Sequence, residues 1–437
     1  MNGRLAGLSA IVLGLLAAPV LMAAEGWDDH DRSGRLVAHD LSKNYLESLA
    51  PNAILFTYGD NDTYPLWYIQ EVEGIRPDVR LVNLSLFDAE WYINGMKRPQ
   101  NASAPLPISM KETQYAKGTR DVMYFQDYKI AGDVELKTIV DLLLSDNPDD
   151  KLQLQDGTWE NFLPTKNFKL TVDRAAALKH KAVNPKDSSR LAPALTWTYN
   201  KGFVTKGTLA MLDMLVQNNW ERPIYFTAGM PPEQFNGLNN YLYNEGLVLR
   251  LTPLQPDTAR QRPLTNPDAL FDNLNSKFMF GNLKAAKYID PESRRQVSNL
   301  TNIFNTAISG LLDEGKPEKA RILLKKYFEV MPEDIQSMYT AGGKTMLAEN
   351  MYALNDAKGA AAMIRQTADY IEKELIYVAD VCTSKNSFVG GQETQLAFSL
   401  WNQMIQTAKI NQDDVLAAEL EQRYKGLEAR FSAFFGT

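Results

Sequence analysis

The pattern of apolar and polar positions changes rhythm three times along the chain. Residues 5–24, LAGLSAIVLGLLAAPVLMAA, form an uncharged apolar run of the length needed to cross a bilayer core. Residues 53–57 and 79–86 are short apolar runs of the kind that make buried strands. Between them, residues 63–72 carry Pro65 in an expected first helical turn, then Leu66, Ile69 and Val72, until Gly74 stops the helix. Strand, helix and strand in this order predict parallel strands joined by a right-handed crossover. The turn 58–62, YGDND, then falls at the carboxyl end of the first strand, where open α/β sheets bind ligands.

Before this unit, residues 36–49 repeat apolar positions at helical spacing, and Pro51 ends that helix. After it, Asp88 is placed to cap a helix through Met96, with Trp91 and Tyr92 covering the sheet. Residues 97–120 read as a loop, 121–125 as a short strand, 134–144 as a helix, 145–163 as an irregular insertion or hairpin, and 168–172 as a strand. The alternation of strand and helix resumes at 195–199, 206–217 and 223–227, with a last strand through 247–251. Residues 253–267 form a Pro- and Thr-rich linker, beyond which strand signals vanish. Residues 299–332 predict a helix pair, with Phe304, Ala307, Leu311, Ala320, Leu324 and Tyr327 where a tetratricopeptide repeat needs its packing residues. Residues 338–354 with 357–378, and 393–410 with 412–431, make two further pairs; a generic helical bundle is the plainer alternative. The fold class expected is therefore an α/β layered, Rossmann-like domain with a mostly parallel sheet, then an all-α tetratricopeptide-like domain, preceded by one membrane helix. The corresponding bounds are 1–26, 27–260 and 261–437.

Composition narrows the chemistry. The 437 residues carry a net charge of −7 without basic runs, which argues against nucleic acid as a partner. A single Cys382 and three histidines leave no Cys/His cluster for a structural zinc. The first apolar run predicts a retained membrane helix, with Arg4 at the cytoplasmic face and the main domains extracytoplasmic, or periplasmic; the alternative is a signal whose cleavage releases a secreted chain.

Several residues stand out as candidate ligands. Asp60, Asn61 and Asp62 follow a strand, and carboxylates spaced as Asp60 and Asp62 are can share a divalent cation. The same residues also suit a turn and a helix cap, with Asp62 or Thr63 at the N-cap. Trp67, Tyr68 and Glu71 on the following helix could stack on a sugar or peptide and hydrogen-bond to it, although Trp67 also suits the core. His30, set among acidic residues and Arg32, could act as an acid/base or a metal ligand, or the cluster could simply be an ion-paired connection near the membrane. The sequence contains no nucleophile elbow, Walker loop, dinucleotide fingerprint or His-Glu-x-x-His, which removes several enzyme classes.

The phrases WDDHDRSGR at 27–35 and GDNDTYPLWYIQEVEG at 59–74 resemble the carboxyl-terminal region of large bacterial membrane proteins related to protein O-mannosyltransferases. That region was long treated as a domain of unknown function and is grouped with GT-C-type glycosyltransferases. The resemblance implies a multi-spanning catalytic half that uses a polyprenyl-phosphate sugar donor and is absent here, so no catalytic residue carries over. It implies a non-catalytic module of a protein-glycosylating transferase, binding acceptor polypeptide or glycan beside a multi-spanning partner half. The residue patterns alone leave two alternatives, an autonomous metal-dependent enzyme acting on carbohydrate or phosphate substrates, and a repeat-based scaffold.

Overall fold

The segments Ile54–Thr57 (β1), Arg80–Asn83 (β2) and Ile224–Thr227 (β3) are buried at every position. Strands covered on both faces need continuous burial rather than alternation, which explains these runs. The computed structural model describes residues 3–31, 33–155, 157–256, 264–286, 289–335, 337–385 and 391–435. In it, β1 lies between β2 and β3, parallel to both. Leu242–Asn244 (β4) and Val248–Leu251 (β5) complete the sheet by antiparallel pairing, in the order β4–β5–β3–β1–β2. The central sheet is therefore mixed, not mostly parallel. The expected strand at 195–199 is absent from it. Ala194–Thr198 instead pairs antiparallel with Asn167–Thr171 in a separate small sheet.

Gly3–Leu15 (α1) continues through a π-helical turn at Leu16–Val20, around Pro19, into Leu21–His30 (α2). Proline lacks the amide that a regular α-helix would use there, which accounts for the local change of winding. The 25 residues Gly3–Trp27 are mostly apolar, with Arg4 and Glu25 as their charges, and their apolar stretch is unburied, with the length and composition of a membrane anchor or a signal sequence.

Val37–Glu47 (α3) leads into β1, and Asp60–Glu71 (α4) makes the crossover to β2. The expected helix thus starts three residues early, because Gly59 occupies the N-cap position with φ 80°. Pro65 consequently falls at its sixth residue, outside the first turn. Glu90–Met96 (α5) begins after Ala89 and not after Asp88; Tyr92 is buried beneath it, whereas Trp91 is 65% exposed and does not cover the sheet. Leu136–Leu144 (α6) and Lys206–Asn218 (α7) complete this region.

The two sheet faces feed two cores. Ile54, Phe56, Val82 and Phe226 point into one shared with α5, α6 and α7. Leu55, Leu81, Tyr225 and Val248 point into the other, which runs on without interruption through the helical tail as far as Phe431. That tail consists of Pro291–Asp313 (α8), Pro317–Val330 (α9), Met338–Ala353 (α10), Ala357–Lys385 (α11), Gln392–Ile410 (α12) and Asp414–Phe435 (α13). The helices form successive hairpins, with α8 against α10 and α10 against α12. All the packing residues expected in the first hairpin, Phe304 to Tyr327, are buried. Asn44 of α3 donates to Met279 O at 2.7 Å and accepts from Met279 N at 2.8 Å, fastening the start of the tail to the α/β region. Residues 257–263, in the middle of the expected linker, lie outside the described residues.

Candidate ligand site at the carboxyl edge of the sheet

The chain leaves β1 through Tyr58 and turns at Gly59, whose positive φ a side chain would disfavour. Thr63 Oγ1 donates to Gly59 O at 2.7 Å and lies 2.7 Å from Thr57 Oγ1, while Gly59 N donates to Ser85 Oγ at 3.2 Å. This lattice starts α4 directly at Asp60. Asp60, Asn61 and Asp62 thus form a first helical turn rather than a free loop, a position where the helix dipole favours negative charge.

Their side chains face different surroundings. Asp60 and Asn61 are exposed. Asp62 is half-buried and accepts a 3.0 Å hydrogen bond from Thr227 Oγ1 at the end of β3. Burial raises its pKa, against the hydrogen bond from Thr227 and the charge of Arg295 on α8. Tyr45, on α3, senses the same two charges, and its own burial pushes its phenol well above the ordinary value. Among the described residues no group of three or more His, Cys, Asp or Glu side chains is arranged to hold a metal ion.

The aromatic face of α4 is partly open. Tyr64 stacks on Trp67 with ring centroids 5.5 Å apart, and Tyr64 and Tyr68 are exposed. Trp67 is half-buried and touches both cores. Glu71 lies at the opposite end of the helix, about 16 Å from Asp60 at 1.5 Å per residue. There it accepts from Asn101 Nδ2 at 2.8 Å. The residues 60–71 therefore do not converge on one site. His30 ends α2 with Nδ1 against Gly26 O at 2.7 Å, and Arg32 lies outside the described residues.

A cavity of about 300 Å³ does open at this edge, on the β2 side of Gly59. Its walls include Tyr58, Asp88, Lys201, Phe203, Thr208 and Asn236. Asp88, expected to cap α5, instead accepts from Gly207 N at 2.8 Å in the first turn of α7, beside the Thr205 hydroxyl that caps this helix through Thr208 N. The approach is close: a Cβ at Gly207 would lie 2.7 Å from both Asp88 Oδ1 and Phe87 C, so glycine is needed there. Burial lowers the pKa of Lys201, while Asp88 and Glu233 favour its charge. Its ammonium donates to Gln234 Oε1 at 3.3 Å. Lys201, Phe203 and Asn236 belong to no motif; the sequence signals nearest them are the Thr205 cap before α7 and the Asn236-Gly237 turn. A larger cavity of about 730 Å³, with Arg190, Glu245, Arg250, Pro256 and Leu264 on its walls, lies at the β4–β5 edge.

Residues 38–269, from α3 to the segment beyond β5, match the family model described as TMEM260-associated domain 2. The match takes in more than half of the chain. This chain belongs to that family. The TMEM260-associated domain contains the whole central sheet, the Asp60–Asp62 turn and the 300 Å³ cavity. Over 86 residues, 19% of this chain, it is 31% identical to the Protein O-mannosyl-transferase TMEM260 of Mus musculus. The aligned part is 12% of that relative, so the chain spans about an eighth of its length. The family is thus related to a protein O-mannosyltransferase, and no solved structure matches the chain.

Proposed function

We propose that this chain is a non-catalytic, extracytoplasmic module of a membrane protein-glycosylating transferase, and that it holds acceptor polypeptide or glycan at the carboxyl edge of its sheet. The observation that carries this reading is the cavity beside Gly59, at the position where α/β sheets gather ligands. Kinship with a protein O-mannosyltransferase supplies the chemical setting. The apolar helix Gly3–Trp27 acts in this reading as a membrane anchor that keeps the edge near a multi-spanning partner half. The three parallel strands then represent a reduced Rossmann-like unit, and the stacked hairpins a tetratricopeptide-like arm. Asp60, Asn61 and Tyr68, exposed around the turn and along α4, would meet the ligand outside the cavity.

The test is direct binding of Ser/Thr-rich peptides and of their O-mannosylated forms to the purified chain. Saturable binding of either, weakened when Ser85 at the cavity wall is replaced by Trp, is the expected outcome. Binding of neither form would sink the reading.

A further inference from the structure

The cavity at the β2 side of Gly59 has a more specific chemistry than its position alone requires. Asn236 is only 3% exposed, lines the cavity, and leaves Oδ1 without a hydrogen-bond partner. Its amide nitrogen reaches only the Met211 sulfur, at 3.4 Å, a weak acceptor. Leaving a buried amide oxygen unpaired costs free energy, and a rotation of the Asn236 side chain that turns Oδ1 toward a hydrogen-bond donor in the cavity would relieve it. Asp88 adds a second acceptor, since one of its carboxylate oxygens is engaged by Gly207 N while the other has no such partner on α7. Lys201 and the hydroxyl of Thr208 add donors at the same walls.

This mixture selects among ligand classes. An anion such as phosphate brings its charge against the Asp88 carboxylate at the cavity wall and has no apolar face to set on Phe203. An apolar peptide side chain would leave all these groups unmatched, and a Ser or Thr side chain brings a single hydroxyl where Asn236, Asp88 and Lys201 call for several. A polyhydroxylated ring both donates and accepts at each hydroxyl, and so can satisfy Asn236, Asp88 and Lys201 together. Tyr58 and Phe203, 37% and 40% exposed, add aromatic surface for the apolar face of such a ring. A volume of about 300 Å³ suits one small ligand better than a folded segment.

We propose that this cavity binds a single neutral hexopyranose ring, held by Asn236, Asp88 and Lys201 and packed on Phe203. The inference rests on the carboxyl edge being a ligand site and narrows what that site recognises to sugar rather than polypeptide.

The full chain, in detergent, is titrated with methyl hexopyranosides, with inorganic phosphate and with an unglycosylated Ser/Thr-rich peptide, by calorimetry and ligand-observed NMR. At least one hexopyranoside is expected to bind saturably and phosphate not at all. Asn236→Gly keeps the left-handed backbone that Asn236 adopts at φ 53°, and Phe203→Ala trims a partly exposed ring, so both variants should fold. Each is expected to weaken hexopyranoside binding at least about tenfold, as when a buried hydrogen bond or packing face is lost. Hexopyranoside binding that both variants leave intact, with melting unchanged, would overturn the assignment of the cavity. Tighter binding of phosphate than of any hexopyranoside would overturn the ligand class. Binding of the peptide without any hexopyranoside would overturn it too, while leaving the edge as a polypeptide site; if none of these probes binds, the sugar assignment fails, and the O-mannosylated peptide then decides whether the edge is a ligand site at all.

Discussion

On its two sides, β1 meets the carboxyl edge of the sheet with opposite kinds of surroundings. Toward β3, Asp62 is tied to Thr227 and lies in the field of Arg295 on α8, so this side is closed by a hydrogen bond and turned toward the helical tail. Toward β2, Ser85 and Asp88 border an open cavity instead. The same kind of edge is therefore used once to dock one part of the chain on another and once to leave space. A strand's carboxyl end offers unpaired backbone and helix N-termini in either case. What differs is whether the neighbouring chain segment fills it.

If the β3 side is structural, the largest effects should come from the core it shares with the tail. Phe304 of α8 is fully buried, edge-on to Tyr327 at 5.4 Å and beside Phe280 at 5.8 Å. Phe304→Ala should cost about 3–5 kcal/mol in urea unfolding, without weakening sugar binding below the transition. A comparable loss of binding in folded protein would show that the two sides are not separable.

Asp62→Asn should have a smaller effect of opposite sign. Because burial raises the carboxyl pKa, the folded state resists the charge; the penalty is absent below the ordinary value of 3.8 and develops as pH rises through the raised one. The variant should therefore melt higher at neutral pH, by less than about 1 kcal/mol, and identically to the parent in acid. A lower melting point at neutral pH would mean that Arg295 pairs with Asp62 more strongly than burial opposes it.

The smallest effect belongs to His39, which reaches across from α3 to the far end of α4. Its Nδ1 lies 2.8 Å from Asp40 and its Nε2 3.1 Å from Glu73, and Asp40 first, then Glu73, raise its pKa against partial desolvation. The stabilisation is complete below the ordinary value of 6.5 and lost as pH rises through the raised one. His39→Gln should cost a few tenths of a kcal/mol, roughly the worth of an exposed ion pair, in mild acid and nothing in mild base. A melting difference independent of pH would refute the ionic origin.

Much of the fold was legible because its signals are local. The runs around Leu55 and Val82, the helix between them and the packing positions of the first tail hairpin each follow from spacing within a few residues. The partners of β1 were not, since Ile224 lies far along the chain from Ile54 and nothing in either run encodes register. For the same reason Asp88 looked like the cap of the adjacent α5, whereas tertiary approach carries it to α7. Of the candidate site, the turn at Asp60–Asp62 was readable in place but not in conformation, because Gly59 lets the helix begin sooner. Lys201, Phe203 and Asn236 are ordinary residues until the fold brings them beside Tyr58.

The fastening of Asn44 to Met279 has a mechanical consequence. Asn282 Nδ2 also donates to Gly34 O at 2.8 Å, and Gly281 sits so near Asp40 that a Cβ there would lie 2.6 Å from its carboxylate. These stitches join the root of the tail to the first residues after the apolar helix. A load applied to the outer hairpins would thus be shared between the continuous core beneath the sheet and these stitches, and would be passed on to the residues that follow the apolar helix.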